Sequence, residues 1–310
     1  MPNAELGPGR EFDLVRTLLA QWGDLARGIG DDAAVVDVPA GRRLVASADS
    51  AVAGIHFRRE WLEPREIGWR AAAAALSDLA AMAADPLAML VSLSIPDAWL
   101  GDVAALADGL GDAARESGAR IAGGDLTSAR ELCIAITVLG SVIDPLLRSA
   151  ARSGDWLYVT GRFGGPLAAL NAWQRGETPA SPARDRFAHP VPRLLEARWL
   201  AEHGVHAAID ISDGLLSDAA HIAAASHVRL AITLDALPTL GGLSPEDAAR
   251  SGEEYELLVA SPDPLDLNEF ERRFGIPLSE IGRVEAGVAE VVATLRGVRV
   301  ASGGGFDHFS

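Results

Sequence analysis

The amino-acid sequence predicts a mixed α/β fold built from two domains. The chain has 310 residues, long enough for two domains of ordinary size, each with its own core. Hydrophobic residues make up 49% of it, which is typical of a globular protein and not of a disordered one. Segments with helical spacing alternate with short apolar runs in both halves, and the pattern divides near Arg148. We therefore expect domains at 1–147 and 148–310.

Local patterns predict the elements of the first half. Pro39-Ala40-Gly41 is typical of a turn between two strands, and the alanine-rich stretch from Pro64 is expected to be one long helix ended by Asp85-Pro86. In chain order we expect a helix (11–20), two strands (33–38 and 42–50), the long helix (64–85), a strand (87–96), a helix (101–118), and two strands (119–125 and 131–143) that flank a polar loop.

The second half begins with a strand, a glycine turn and a helix that ends at Gln174. The polar, proline-rich segment 176–190 is predicted to be a loop because it lacks any apolar period. A helix, a strand-turn-helix unit over 206–226 and further strands are expected after it. The chain closes with the glycine-rich stretch 302–310.

Composition excludes several classes of function. A net charge of −16 argues against nonspecific binding to nucleic acid or to an anionic membrane surface. No secretory signal is apparent, and the apolar run 71–84 contains Asp78 and is too short to span a membrane. Cys133 is the only cysteine, so an internal disulfide framework and a cysteine zinc cluster are both excluded. These features predict a cytoplasmic protein.

Every one of the 27 basic residues other than histidine is an arginine, because the chain contains no lysine. This absence excludes a lysine-bearing P-loop, a protein-kinase-type lysine and a pyridoxal phosphate Schiff base. If the protein handles phosphates, it must use arginine, main-chain N–H groups and metal ions.

Aspartates recur in a consistent setting, at the ends of predicted strands or on an otherwise apolar helix. Asp31 and Asp32 follow glycines in "GIGDDAAVV", and Asp49 ends the strand in "SADS". The remaining members of the set follow other strands or lie on the alanine-rich helix: Asp125, Asp210, Asp213 and Asp78. Any one of them alone is better explained as a turn or helix cap, but together they outnumber what caps require.

Asp78 is the sharpest case, because its neighbours on the helix are Ala, Leu and Met. We expect it to be buried, and a buried carboxylate must be paired, protonated or metal-bound. A structural pair with an arginine is one explanation. A metal ligand is the favoured one because the other aspartates have similar settings. Oxygen ligands, few histidines and one thiol point to a hard cation, Mg²⁺ before Ca²⁺, shared with substrate phosphates.

Eight segments in chain order resemble the motifs of the thiamine-monophosphate kinase family, which belongs to the aminoimidazole ribonucleotide synthetase-related superfamily. They are "GIGDDAAVV", "SADSAVAGIHF", "GWRAAAAALSDLAAMAADPLAML", "GGDLTS", "RSGDWLYVTG", "IDISDGLLSDAAHI", "SGEEYELL" and "GFDHF". The resemblance implies two synthetase-like α/β domains, with the N-terminal domains pairing into a β-barrel in a homodimer. It also implies ATP- and Mg²⁺-dependent phosphorylation of thiamine monophosphate to thiamine diphosphate.

The resemblance further assigns roles to single residues. Its metal-binding positions match Asp32, Ser47, Asp49, Asp78, Asp125, Asp210 and Asp213, with Asp31 as a further candidate. ATP is expected at Gly124, Asp125, Arg148 and Ser212, and thiamine monophosphate at His56, Glu253 and Phe306. Without the motifs, His56 would be taken for a surface or core histidine, Glu253 for part of a solvated turn, and Phe306 for a packing residue.

No general base is expected, because the attacking phosphate is already largely dianionic near neutral pH. Catalysis is then electrostatic and positional, with Asp78, Asp210 and Arg148 as its predicted residues and no covalent intermediate.

The chain departs from the family pattern at Ala48, Leu126, Ser251 and Glu254, where Thr, Thr, Gly and Asp are usual, and Phe306 replaces a common Tyr. Two alternatives therefore stay open. One is a catalytically silent or regulatory protein that binds Mg-ATP. The other is an ATP-dependent enzyme of the same fold that acts on a different acceptor.

Overall fold

A computed structural model of the chain describes Asn3, residues 9–30 and residues 32–301. The described residues form two compact units, one of residues up to Leu79 together with Ala84–Asp144, and one of Ala80–Ala83 together with Pro145 onward. Each unit holds one β-sheet with helices packed against it. The observed architecture is therefore the mixed α/β, two-domain fold that the sequence predicts.

The first unit contains a four-stranded sheet in the order β1-β4-β2-β3, which is open in the described residues. In this sheet β2 and β3 run parallel, while β1 and β2 both run antiparallel to β4. The elements are α1 (Arg10–Trp22), β1 (Arg43–Val52), α2 (Pro64–Ala81), β2 (Asp85–Ile95), α3 (Val103–Ser117), β3 (Arg120–Ser128) and β4 (Cys133–Val142), with short 3₁₀ helices at Gly23–Leu25 and Asp97–Asp102.

Burial alternates along the central strand of this sheet. Ile134, Ile136 and Val138 of β4 are buried, whereas the residues between them are only half-buried. The period of two shows that one face of the sheet carries the core and the other is more open. Two glycines let α2 and α3 pack closely: a Cβ atom at Gly109 would lie 1.8 Å from the carbonyl oxygen of Arg65, and one at Gly68 would lie 2.2 Å from that of Leu106.

The second unit contains a seven-stranded, mostly antiparallel sheet in the order β11-β10-β7-β9-β5-β8-β6. Leu157 and Val159 of β5 belong to one core cluster, and Tyr158 between them belongs to another, so helices cover both faces. The strands are β5 (Trp156–Thr160), β6 (Ala207–Asp210), β7 (Arg229–Thr233), β8 (Leu257–Ser261), β9 (Leu278–Glu285), β10 (Glu290–Leu295) and β11 (Val298–Arg299).

Up to residue 301, where the description of the second unit ends, six helices complete it, with short 3₁₀ helices at Arg148–Ala150 and Leu234–Ala236. Helix α7 packs in the cluster with Leu157, and helices α6 and α9 in the cluster with Tyr158. The helices are α4 (Gly165–Gln174), α5 (Ser181–Ala188), α6 (Leu194–Glu202), α7 (Leu215–Ser226), α8 (Pro245–Ala248) and α9 (Leu267–Phe274).

Four local predictions were wrong. Residues 33–38 form no strand, because no strand among the described residues pairs with this apolar segment. Helix α2 ends at Ala81, before Asp85-Pro86, since Ala83 adopts a φ of 51° and turns the chain. The predicted loop 176–190 contains α5, whose Pro182 occupies an N-terminal position that tolerates proline. Strand β3 continues to Ser128, through part of the predicted polar loop.

Helices α8 and α9 were not predicted, although Asp266 caps α9 by accepting a hydrogen bond from the main-chain N–H of Glu269 at 2.9 Å. None of the helices described here combines the length and the hydropathy needed to cross a membrane.

Candidate active site

A cavity of about 790 Å³ lies within the first unit, between α1, the segment from Gly28 to Val36, and the sheet. Three of the predicted site residues line it: Asp32, Gly124 and Asp125. Both aspartates are exposed to solvent. Phe12, Val15 and Leu19 of α1 supply an apolar wall of the same cavity. The cavity therefore combines a surface suited to a flat apolar ring with carboxylates suited to a cation.

Gly124 lies where β3 runs parallel to β2, with Val91 as its paired residue. A Cβ atom at this position would lie only 1.8 Å from the carbonyl oxygen of Val91. Only glycine fits so close an approach of two backbones, and the next residue, Asp125, carries its carboxylate to the cavity. Leu126, one of the departures from the family pattern, also lines this cavity.

Ser47 and Asp78 meet between β1 and α2. The hydroxyl of Ser47 donates a hydrogen bond to a carboxylate oxygen of Asp78 at 2.5 Å. Asp49 is half-buried on the same side of β1 as Ser47, two residues further on, whereas the side chain of Ala48 is exposed on the opposite side. At Ala48, therefore, the departure from the family pattern falls on the far side of the strand from Ser47 and Asp49.

The predicted burial of Asp78 was wrong. Its side chain is only half-buried, while its neighbour Ser77 is fully buried. The alanine-rich composition of α2 misled the prediction, because the helix presents Asp78 to the polar side of β1 and Ser77 to the core. A half-buried carboxylate beside a hydroxyl is better placed to share a cation with solvent or phosphate than a sealed one.

Within residues 9–30 and 32–301, no three side chains of His, Cys, Asp or Glu stand close enough to hold a metal ion by themselves. The donors that do approach each other, such as Ser47 with Asp78, are oxygen atoms. This donor chemistry fits Mg²⁺, which keeps water ligands and completes its coordination with substrate phosphates.

In the second unit, Asp210 ends β6 and is buried, with 5% of its surface exposed. The chain then turns through Ser212 and Asp213 to Gly214, whose φ of 116° is accessible to glycine, before α7 begins. One carboxylate oxygen of Asp218, on α7, accepts the main-chain N–H groups of Ser212, Asp213 and Gly214 at 3.1, 3.1 and 3.2 Å. The turn that carries two predicted metal ligands is thus fixed by a third aspartate.

Asp218 was not among the predicted residues, although the argument applied to Asp78 finds it, since it is also an acid on an apolar helix. Burial raises its pKa to about 7, and the negative charges of Asp213 and Asp210 act in the same direction. The main-chain hydrogen bonds to its carboxylate oppose that rise. The carboxyl groups around this turn therefore repel one another, which is the electrostatic condition that a bound cation relieves.

The segment from Ser251 to Glu256 lies against this turn. The N–H of Glu253 donates to the carbonyl oxygen of Ser212 at 2.6 Å, and that of Tyr255 donates to the carbonyl oxygen of Ile211 at 2.8 Å. The structure therefore brings Glu253, predicted to bind thiamine monophosphate, next to Ser212, predicted to bind ATP.

A buried ionic network lies beneath the same segment. Arg193 donates to both carboxylate oxygens of Glu256 at 2.7 and 2.6 Å, and Arg186 donates to one of them at 2.9 Å. Although burial alone would raise the pKa of Glu256, the charges of Arg193 and Arg186 hold it below its ordinary value. Sequence analysis missed the network, because Arg186 and Arg193 lie 70 and 63 residues from Glu256 along the chain.

The network holds more acidic groups than basic ones, since Glu196 and Glu254 also belong to it. Burial raises the pKa of both of these carboxyl groups, that of Glu254 to about 7. Two arginines facing three carboxyl groups explain why only Glu256 is held firmly ionised.

Two predicted residues have less defined surroundings, and two more lie outside the described residues. Nδ1 of His56 accepts the main-chain N–H of Val52 at 3.1 Å, which places the proton of the neutral ring on Nε2. Arg148 is exposed in a 3₁₀ helix, and its carbonyl oxygen accepts the hydroxyl of Ser226 at 2.7 Å. Asp31 and Phe306 lie outside the described residues.

The chain matches two family models in succession. Residues 30–142 match the N-terminal domain of AIR synthase related proteins, and residues 152–294 match the C-terminal domain. Thiamine-monophosphate kinase of Escherichia coli K12 is 35% identical over an alignment of 325 positions, gaps included, that covers 97% of this chain and 96% of that protein.

Two solved structures are similar over nearly the whole chain. Thiamine-monophosphate kinase from Stenotrophomonas maltophilia K279a has a TM-score of 0.81 and 33% identity, and the match covers 97% of this chain and 99% of that one. The structure of AaThiL complexed with AMPPCP and TMP has a TM-score of 0.76 and 26% identity, covering 99% of this chain and 100% of that one.

Proposed function

The chain belongs to the AIR synthase related family, among its thiamine-monophosphate kinases, and we propose that it phosphorylates thiamine monophosphate with ATP. The observation that carries the proposal is the similarity to thiamine-monophosphate kinases over almost the entire chain. A phosphate oxygen of thiamine monophosphate attacks the γ-phosphorus of ATP, the bond from that phosphorus to the β–γ bridging oxygen breaks, and ADP leaves. The products are ADP and thiamine diphosphate.

The first unit is proposed to bind ATP at its cavity. The apolar wall on α1 accommodates a ring, and Gly124 and Asp125, which line the same cavity, are exposed to solvent where phosphates would lie. Asp32, Ser47, Asp49, Asp78 and Asp125 would hold Mg²⁺ in this unit. When bound, Mg²⁺ neutralises the phosphate charge and aligns the transferred group.

The second unit is proposed to contribute Asp210 and Asp213 to further Mg²⁺ and Ser212 to ATP. Glu253 is held against this same turn, and it is proposed to bind thiamine monophosphate together with His56 and Phe306. Arg148 would stabilise the negative charge that develops on the transferred phosphoryl group. No side chain is asked to remove a proton, since the attacking phosphate is already largely ionised near neutral pH.

A homodimer formed by the first units is part of the proposal. Strand β1 is an edge of its sheet, it is ten residues long, and its face at Leu44, Ala46 and Ala48 is exposed. Long edge strands with exposed apolar residues are prone to pair with another strand, and a second copy of the sheet would close a barrel. We also propose that the protein is cytoplasmic, because a chain with one cysteine has no internal disulfide that the reducing cytoplasm would prevent from forming.

The test is the release of ADP from ATP and Mg²⁺ with and without thiamine monophosphate, combined with chromatographic detection of thiamine diphosphate. Product that needs both substrates supports the kinase. Binding of Mg-ATP without any thiamine diphosphate contradicts it and favours a silent nucleotide-binding protein, with Leu126 in the ATP cavity as the first residue to revert to Thr. ADP release that needs a different phosphomonoester would indicate another acceptor.

A further inference from the structure

Glu253 stands in an unusual stretch of backbone. Its φ is 58° and that of Tyr255 is 51°, both in the left-handed region that non-glycine residues rarely adopt. Such a conformation persists only where the surrounding contacts over-determine it. The residue between them, Glu254, is therefore the place to look for those contacts.

Glu254 is completely buried and is held from two directions. Its carboxylate accepts the main-chain N–H of Gly164, just before α4, at 2.5 Å. Its carbonyl oxygen accepts a hydrogen bond from the guanidinium of Arg186, on α5, at 2.7 Å. The side chain of Glu254 is thus bonded to the start of α4 and its main chain to α5, while the main-chain N–H of Glu253 donates to the carbonyl oxygen of Ser212.

The side chains of Arg186 and Glu254 do not form a close, bidentate ion pair. Nη2 of Arg186 lies 3.6 Å from Oε2 of Glu254, and among the described residues neither that oxygen nor Nε of Arg186 has a hydrogen-bond partner. A bidentate pair would satisfy both atoms. Glu256 does not require Arg186 either, because Arg193 already binds both of its carboxylate oxygens. The hydrogen bond from Arg186 to the carbonyl oxygen of Glu254, at 2.7 Å, is shorter than its bond to Glu256, at 2.9 Å.

We propose that Arg186 and Glu254 are positioning residues that hold the backbone of Glu253 in its left-handed conformation and so direct its carboxylate at the acceptor substrate. The proposal rests on the proposed function, in which Glu253 binds thiamine monophosphate. The neighbouring turn that carries Ser212 has its own support from Asp218. Loss of Arg186 should therefore weaken binding of the acceptor much more than binding of ATP.

Steady-state kinetics with each substrate varied in turn test this separation. In Arg186→Met we expect KM for thiamine monophosphate to rise at least tenfold and KM for ATP to stay within twofold of the wild type. Arg186→Lys should recover part of the loss, because an ammonium group can still donate to the carbonyl oxygen of Glu254. The matched control is Arg175→Met, which removes an exposed arginine paired with Glu177 in the same unit.

A purely structural role would give a different pattern. Equal rises of both KM values with a lower Tm, or no change of either, would overturn the proposal. Because Arg186→Met leaves the Glu254 carboxylate buried without its cation, the double variant Arg186→Met/Glu254→Gln serves if the single one fails to fold. It removes both charges and should still show the selective rise for thiamine monophosphate.

Hydrogen exchange separates failure of this proposal from failure of the proposed function, since it needs no turnover. The amides of Glu253 and Tyr255 are hydrogen-bonded to Ser212 and Ile211, and a peptide covering 251–256 reports on both. We expect at least tenfold faster exchange in Arg186→Met than in the wild type and in Arg175→Met, whichever substrate the enzyme uses. Unchanged exchange would overturn the positioning role even if thiamine diphosphate is formed.

Discussion

A carboxylate oxygen of Asp218 accepts the main-chain N–H of Asp213 at 3.1 Å, and the same oxygen accepts the N–H groups of the residues on either side. Three consecutive N–H groups at the start of a helix form a site that usually attracts an anion. Here a side chain of the protein occupies it. The turn is therefore shaped before any ligand arrives, and its aspartates are presented in a fixed direction.

Asp218→Ala should weaken the use of ATP and Mg²⁺ more than the binding of thiamine monophosphate. Three main-chain N–H groups lose their acceptor, so Ser212 and Asp213 are no longer held in place. The free energy of unfolding is expected to fall by about 1–3 kcal/mol, the usual cost of buried donors left unsatisfied. The measurements are KM for ATP at several Mg²⁺ concentrations and a urea unfolding curve.

Asp218→Asn is the matched control, because its amide oxygen can still accept the same N–H groups. It should lie closer to the wild type than Asp218→Ala in both measurements. An alanine variant with a normal KM for ATP would show that the turn keeps its shape without this carboxylate.

The stability of the protein should depend on Glu254 in a defined pH range. Burial raises the pKa of this carboxyl group from its ordinary value of 4.5 to about 7. A group with a raised pKa in the folded state holds its proton more tightly there, so its contribution to stability is full below pH 4.5 and is lost as the pH rises through 7. Because glutamine does not ionise, the variant Glu254→Gln should not lose stability in this pH range.

As the pH rises from 5 to 8, the free energy of unfolding of the wild type should therefore fall relative to that of Glu254→Gln. The expected change is on the order of 1–3 kcal/mol. Urea unfolding at both pH values measures it, and Glu177→Gln at an exposed position is the control that should show no such movement. A difference that stays constant with pH would mean that Glu254 titrates normally.

The sequence predicted the fold class because the periods of its apolar residues survive in the structure. Strand β4 buries every second residue from Ile134 to Val138, as the run "ELCIAITVLGSVI" indicates. Helix α3 ends at Ser117, and the next residue, Gly118, is left-handed as a helix-terminating glycine should be. Predictions failed where a distant partner decides the outcome. The apolar run 33–38 has the composition of a strand, but within the part of the chain that the structure describes no strand pairs with it.

The candidate site likewise has features that the sequence predicted and features that it could not predict. The motifs pointed to Asp125, and the structure places it beside Asp32 in one cavity. The support for Glu253 could not be found from the sequence, because Gly164 and Arg186 lie 90 and 68 residues from Glu254. Nothing local to "SGEEYELL" shows that its second glutamate is buried.

Asp78→Asn should reduce turnover far more than it reduces stability. The side chain is half-buried and hydrogen-bonded to Ser47, and an amide of the same shape can keep that contact. The free energy of unfolding is expected to change by no more than about 1 kcal/mol, the worth of one hydrogen bond. The rate constant kcat should fall at least a hundredfold, because a neutral amide is a poor ligand for Mg²⁺.

Ser47→Ala controls for the contact itself, since it removes the hydrogen bond and leaves the charge of Asp78. It should cost less activity than Asp78→Asn. Near-normal turnover of Asp78→Asn at saturating ATP would exclude Asp78 from the metal-binding set.

Leu44→Glu should convert a dimer into a monomer. Leu44 is 54% exposed on β1, the edge strand, so a charge there meets solvent in a monomer but would be buried in a strand-paired interface. Sedimentation equilibrium should give twice the chain mass of 32.4 kDa for the wild type and a single chain mass for the variant. Val298→Glu is the control, because Val298 is 68% exposed on a strand of the other unit. Both substitutions add one charge at an exposed apolar position, so the two variants should differ in mass only if a partner chain covers β1. A wild type that sediments as a single chain would contradict the proposed dimer directly.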